Sequence, residues 1–289
     1  MDRRAFLQSA AALSGAAFVT SAAAQPANAA GPFAKVPLKM AVQLSYFPGT
    51  VDEQLKAAAQ WGFAAYEWHS PEGDLEDLRR KADAAGLPLT CILGCGRIEA
   101  GHMMDPAQHD AVVEMFRQRI PIAKTLGTTR LIGLTGNART DISYEEQMNL
   151  VIQCVKRLAP IAEENDVTII MEALNPLVDH KGFFLTRTDQ TMALLDAVGS
   201  PNVKMLFDIY HQQITEGNVI RNLKANIAHI GHFHVADNPG RKEPGTGELN
   251  YKNIFKAIQD TGYDGYVALE CGKIGTLDEA LNRVLDCFA

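Results

Sequence analysis

No G-x-G-x-x-G and no G-x-x-x-x-G-K-[ST] occurs anywhere in the 289 residues, which removes the two glycine-rich loops that most often cradle phosphates. C-x-x-C is missing too. Five cysteines, an odd number at unmatched spacings, argue against a disulfide framework and against a thiolate zinc site. Cys91 and Cys95 fall on one expected strand, roughly 13 Å apart at about 3.3 Å per residue, a gap that no disulfide spans. Lysine and arginine form no stripe and the formal net charge is −7, so nucleic acid is not an expected partner. No long apolar run follows the first thirty residues, and no stable membrane insertion is expected of the mature chain.

With 47% hydrophobic and 21% charged residues, the composition is that of a packed globular chain. Its opening, MDRRAFLQSAAALSGAAFVTSAAAQPANAA, sets Arg3 and Arg4 before Phe6 and Leu7. An Ala-rich run from Ala10 to Ala24 follows, short for a spanning helix, with small-residue cleavage candidates after Ala24 and Ala29. Residues 1–29 are therefore expected to be a cleaved twin-arginine signal peptide, placing the protein in the periplasm or exporting it by that route. Residues 36–289 are expected to form a single domain.

From residue 38 one grammar recurs: a short apolar run of β type ending in polar residues, then a helical pattern of about 12 to 20 residues. Strands are expected at 38–46, 63–69, 87–94, 128–136, 167–175, 203–211, 230–238 and 266–271. Glycines close several of the intervening helices, and Pro121 and Pro160 fall inside the two long ones. Eight strands alternating with helices predict an α/β fold, a (β/α)8 TIM barrel. A doubly wound open sheet is the alternative, disfavoured by the missing glycine-rich loops.

In such a barrel the chemistry sits where strands end, because those ends and the following loops line one mouth. Four consecutive strands end alike, with Glu172 in IIME, Asp208 in MLFD, His234 in HFH and Glu270 in VALE, separated by 36, 26 and 36 residues. Carboxylates crowded together repel, and burying one unpaired is costly, so a cation is expected among them. Oxygen-rich ligation with one nitrogen suits Mn2+, Mg2+ or Co2+, with Zn2+ also compatible. Each residue alone has a plainer reading, a glutamate in an internal ion pair or a histidine packed in the core. Four at matched strand ends favour a metal. His232, one pleat below His234, is expected to support that centre or to pack in the core.

The stretches MEALN, FDIYHQQITEGN, HFHVADNPGRKEPGTGELNY and GYDGYVALE resemble the TIM-barrel sugar isomerase/epimerase (xylose isomerase-like) superfamily, most closely its hydroxypyruvate isomerase-like members, over essentially the whole chain after the signal. The resemblance implies a divalent metal ion held by Glu172, Asp208, His234 and Glu270. It also implies Glu172 and Glu270 as the catalytic acid/base pair, His211 and Arg241 as substrate-binding residues, and a homo-oligomer. Where His234 stands, hydroxypyruvate isomerases carry Gln and ketose 3-epimerases carry His. Six residues past Glu172 the epimerases carry a glutamate, and here that position is Val178; CGKIGTL, after Glu270, lacks the Tyr-containing run of the isomerases.

This set is suited to taking a proton from a carbon beside a carbonyl and returning it by way of an enediolate. Moving it to the neighbouring carbon isomerises; returning it to the opposite face of the same carbon epimerises. The expected function is a metal-dependent isomerase of a small keto-acid or keto-sugar, hydroxypyruvate isomerase-like. A ketose 3-epimerase or a keto-polyol dehydratase or lyase is the second enzymatic reading, and a non-catalytic periplasmic sugar-binding protein is a third. A metal nuclease would need several metals, more histidines and a basic groove. Arg97, in GCGRIEAGH, is a further candidate clamp for a substrate carboxylate or hydroxyl. Tyr46, Trp68 and His69 end early strands as a candidate pocket wall.

Overall fold

The computed structural model describes residues 31–99 and 103–289; the expected export signal, residues 1–29, lies outside the described residues. Eight parallel strands are present: β1 Lys39–Gln43, β2 Ala65–Glu67, β3 Ile92–Cys95, β4 Arg130–Gly133, β5 Thr168–Glu172, β6 Val203–Asp208, β7 Ile230–Val235 and β8 Tyr266–Leu269. They pair in the order β2-β1-β8-β7-β6-β5-β4-β3. The two ends of that order meet. Tyr66 N–H donates to the Pro88 carbonyl (3.0 Å), Thr90 N–H to the Tyr66 carbonyl (3.0 Å) and Leu93 N–H to the His69 carbonyl (2.8 Å). The sheet thus curls into the TIM barrel that the strand–helix grammar predicts.

Around it run α1 Val51–Trp61, α2 Leu75–Ala85, α3 His109–Leu126, α4 Tyr144–Glu164, α5 Thr188–Val198, α6 Ile209–Thr215, α7 Val219–Asn226, α8 Tyr251–Asp260 and α9 Leu277–Asp286. Local chemistry sets their ends. Thr50 with Glu53 and Thr276 with Glu279 form capping boxes that start α1 and α9. Helix α1 stops at Gly62, whose φ of 83° is strained for a residue with a Cβ. Among the described residues no helix is long and apolar enough to cross a membrane.

Alternation along the strands sorts side chains between the two faces of the barrel. On β6 and β7, Phe207 and Phe233 pack together on the outer face (ring centroids 5.8 Å apart), with Tyr263 against Phe233 (4.9 Å). Asp208, His232 and His234 of the same strands take the opposite parity and point inward. Ala41, Ala65 and Ala268 lie in register on three adjacent strands and form a narrow inner cluster. Glu67 and Glu270 stand two residues above Ala65 and Ala268, on the same face.

Each expected strand differs from the observed one at one or both ends, and three differences from the sequence expectation stand out. β6 ends at Asp208 rather than at residue 211, because the Asp208 carboxylate accepts the N–H groups of Tyr210 (2.8 Å) and His211 (3.2 Å) and so starts helix α6. β3 starts at Ile92 rather than at 87, since Leu89 makes only an isolated bridge to Tyr66 across the seam. The single helix expected after β6 is two, α6 and α7, separated by a turn in which Asn218 takes the left-handed φ of 53°.

Candidate active site

One ligating atom from each of Glu172, Asp208, His234 and Glu270 lies within 4.8 Å of the others. Register explains how four strands deliver them. Asp208 pairs with His234 and His234 with Ala268, so Glu270 projects one inward position higher. Glu172 pairs with Leu206, one inward position below Asp208. The Nδ1 atom of His234 is 3.3 Å from Glu172 Oε1 and 3.1 Å from Glu270 Oε2, and it is buried without a hydrogen-bond partner. Asp208 spends Oδ1 on the α6 amides and keeps Oδ2 toward the site, 3.5 Å from His211 Nε2 and 3.7 Å from Arg241 Nη2.

These donors fit a divalent cation. Atoms bound to one ion at about 2.0–2.2 Å stand about 3 Å or a little more from one another, which is the spacing found around Nδ1. The electrostatics carry the same strain. Burial, with Glu270 adding and Arg241 opposing, pushes Asp208 up to about 6. Burial also acts to raise Glu270, but the facing His234 and Arg241 outweigh it and hold that carboxyl below its usual range. Burial disfavours the His234 imidazolium, yet Glu67 and Glu270 outweigh it and raise that pKa well above the ordinary histidine value. A cation bound here would have to displace protons from these atoms.

The two expected substrate contacts flank this group. His211 sits on α6, and its Nδ1 accepts from the side-chain amide (2.7 Å) and the backbone N–H (3.3 Å) of Asn175. The ring proton is thereby assigned to Nε2, which has no partner. Burial, reinforced by Arg241, lowers His211 to about 4 and keeps it neutral. Arg241 follows β7 at a left-handed φ of 52° and pairs with Glu270 Oε2 at 2.7 Å. Its guanidinium also lies over the Tyr210 ring at 5.2 Å, and Tyr210 OH donates to Asp179, which accepts from Asn175 as well. The loop carrying Arg241 is pinned by buried Asp237, whose carboxylate accepts the backbone N–H groups of Asn238, Gly245 and Leu249.

Above the four side chains lies a cavity of about 430 Å³, lined by Glu172, His211, Arg241 and Glu270, by His180 beside His211, and by Arg97 and Arg119. Of the expected aromatic wall, only His69 lines it. Tyr46 is buried in the core, under Lys273, and Trp68 faces a neighbouring recess with Gln43 and Ser70. Both residues turn away because the chain leaves β1 and β2 at once, Leu44–Tyr46 as a short 3-10 turn and Trp68 outside the strand.

A buried carboxylate beside the four candidate ligands escaped the sequence reading. Glu67, the last residue of β2, is fully buried, and its Oε1 accepts from Thr90 Oγ1 (2.7 Å), Cys91 Sγ (2.9 Å) and His232 Nε2 (2.9 Å). Glu67, His69, Cys91 and His234 also bring one atom each within 4.8 Å of the others. Its place at the end of a strand, on the parity of Ala65, was the available sign. Its partners lie 23 to 167 residues away, so no local motif marks it.

Residues 55–287 match the model of the xylose isomerase-like TIM barrel family. The chain is 32% identical over 258 residues to the hydroxypyruvate isomerase of Escherichia coli (strain K12), covering 87% of this chain and 99% of that protein. It is 32% identical over 223 residues to the 2-oxo-tetronate isomerase of Cupriavidus necator, covering 75% and 85%. Among solved structures it superposes on an AP endonuclease, family 2, from Brucella melitensis with a TM-score of 0.78 at 24% identity, covering 84% of this chain and 96% of that one, a likeness of fold alone. With its barrel, its family match and relatives aligned along most of its length, the chain belongs to the xylose isomerase-like TIM barrel family.

Proposed function

We propose that the protein is a metal-dependent isomerase that moves a proton between adjacent carbons of a small 2-keto acid or keto-sugar. The observation that carries this reading is the meeting of Glu172, Asp208, His234 and Glu270 beneath a cavity of about 430 Å³, a size suited to a small ligand. The relatives named hydroxypyruvate isomerase and 2-oxo-tetronate isomerase support the reaction class.

A divalent ion held by the four side chains would stabilise the negative charge that builds on the substrate oxygens as the C–H bond breaks. The remaining work falls to the chain's own groups. Glu172 and Glu270 face His234 Nδ1 at 3.3 and 3.1 Å, and one takes the proton α to the carbonyl while the other delivers it. Arg241, ion-paired to Glu270, fixes the direction of that carboxylate. Neutral His211, with Nδ1 filled by Asn175, offers its Nε2–H to a substrate oxygen. The expected twin-arginine signal is part of the same proposal and would place the reaction in the periplasm. Lysines in place of Arg3 and Arg4 should leave the precursor in the cytoplasm on fractionation.

A second reading, ketose epimerase, is favoured by His234, since the ketose 3-epimerases carry histidine there. The two separate in one experiment: Mn2+-loaded protein in D2O, with hydroxypyruvate, four- to six-carbon 2-keto acids and ketoses, followed by NMR. Exchange at the α-carbon with a shift of the carbonyl supports isomerisation. Inversion at a single ketose carbon with the carbonyl in place supports epimerisation. Absence of exchange with every compound, in protein that binds the metal, would sink both.

A further inference from the structure

We infer that Glu67 is a positioning residue of the proposed metal centre, which holds His234 with its proton on Nε2 and its Nδ1 lone pair turned to the ion. This rests on the metal reading above. A neutral imidazole carries one ring proton, and a ligating nitrogen must be bare. His234 Nδ1 faces Glu172 and Glu270, so the proton belongs on Nε2 and needs an acceptor on the inner side of the ring. Glu67 Oε2 is there, 3.3 Å from Nε2. Neither atom has another hydrogen-bond partner, and both are buried. The gap is slightly beyond an ordinary N–H···O bond and closes with a shift of a few tenths of an ångström.

The rest of the surroundings leaves Glu67 little freedom. Its Oε1 is occupied by the hydroxyl of Thr90, the thiol of Cys91 and Nε2 of His232, so Oε2 is left to His234, the nearer ring at 3.3 Å, with His69 Nε2 at 3.6 Å. The His234 ring is stacked on His69 (5.3 Å, 20° between planes) and meets His232 edge-on (5.1 Å, 84°). Ligating histidines generally donate their second ring N–H to a carboxylate or carbonyl, and removing that partner costs 10- to 100-fold in metal affinity. Here the partner comes from β2, across the barrel from the strands that supply the ligands.

Glu67→Gln is the informative substitution because it preserves shape. With three donors at Oε1, the new carbonyl must stay there, which turns the amide NH2 against the Nε2–H of His234. Mn2+ affinity, measured by calorimetry, should fall by about 10- to 100-fold. In a His234→Gln background, where no ring proton has to be placed, Glu67→Gln should change affinity by less than about twofold. In the Zn2+-loaded wild type labelled with 15N-histidine, the Nε2–H of His234 should appear as a hydrogen-bonded resonance.

Unchanged affinity in Glu67→Gln would overturn the inference, as would a bare Nε2 in the loaded wild type. Equal loss in the His234→Gln background would overturn it too, giving Glu67 a role in the fold at large. Two bound equivalents of metal, one of them abolished by Glu67→Gln, would make Glu67 a ligand instead. Wild-type protein that binds no Mn2+ would remove the metal reading itself, whereas tight wild-type binding that ignores Glu67→Gln would remove only this step.

Discussion

The half of the barrel built from β5 to β8 and the half built from β1 to β4 share one backbone geometry and differ in what their strand ends leave open. Around β5–β8, Glu172, Asp208, His234 and Glu270 bring one ligating atom each to a common point, where His234 Nδ1 has no hydrogen-bond partner. The last residues of β1 to β4 are Gln43, Glu67, Cys95 and Gly133. Only Glu67 among these is charged, and one of its oxygens accepts three hydrogen bonds. Burial alone therefore does not mark a functional carboxylate. A buried atom filled from within, like Glu67 Oε1, belongs to the framework, whereas an unfilled one, like Glu67 Oε2 or His234 Nδ1, is free to act on a neighbouring ring or a ligand.

This division can be broken in order of effect. The largest is expected from Glu172→Gln and from Glu270→Gln, each lowering kcat by about 10²- to 10⁴-fold while leaving the thermal midpoint of the apo protein nearly unchanged. Wild-type exchange of the α-proton in either variant would remove it from the acid/base pair. Next, Mn2+ binding should weaken as pH falls through about 6. Asp208, pushed up to about 6, and His234, raised above its ordinary value, then hold protons that the metal must displace. Calorimetry between about pH 5 and 8 reads this as proton release on binding; affinity flat across that window would place the ion elsewhere.

His211→Ala removes one neutral hydrogen bond and should cost up to about tenfold in kcat/KM, roughly the 0.5–1.5 kcal/mol of such a contact. Arg97→Ala, in the half that shapes the cavity, should raise KM a few-fold and leave kcat alone, the mark of binding shared equally by ground and transition states. A fall in kcat as large as that of Glu172→Gln would erase the distinction between the halves.

Much of this could be read in the sequence, and the exceptions have physical causes. Short apolar runs and the helical patterns between them disclosed the barrel, because both are local patterns. The four strand-end residues stood out because matched positions on adjacent strands recur at unit spacing. Asp208 misled at the next step: FDIYHQQI keeps the apolar texture of a strand, and only the carboxylate capping two amides shows the chain turning into α6. Trp68 and Tyr46 misled because a strand's last residue does not reveal which way the chain leaves. Glu67 and Asn175 were invisible as supports, since a hydrogen bond to a histidine 36 or more residues away leaves no spacing to detect.

The most direct measurement is anomalous diffraction at the manganese edge from crystals of the Mn2+-loaded protein. One strong peak is expected within about 2.0–2.3 Å of a carboxylate oxygen from each of Glu172, Asp208 and Glu270 and of His234 Nδ1. A fully loaded protein with no peak among those four side chains, or with its ion bound elsewhere, would contradict the metal centre and the proton transfers built on it.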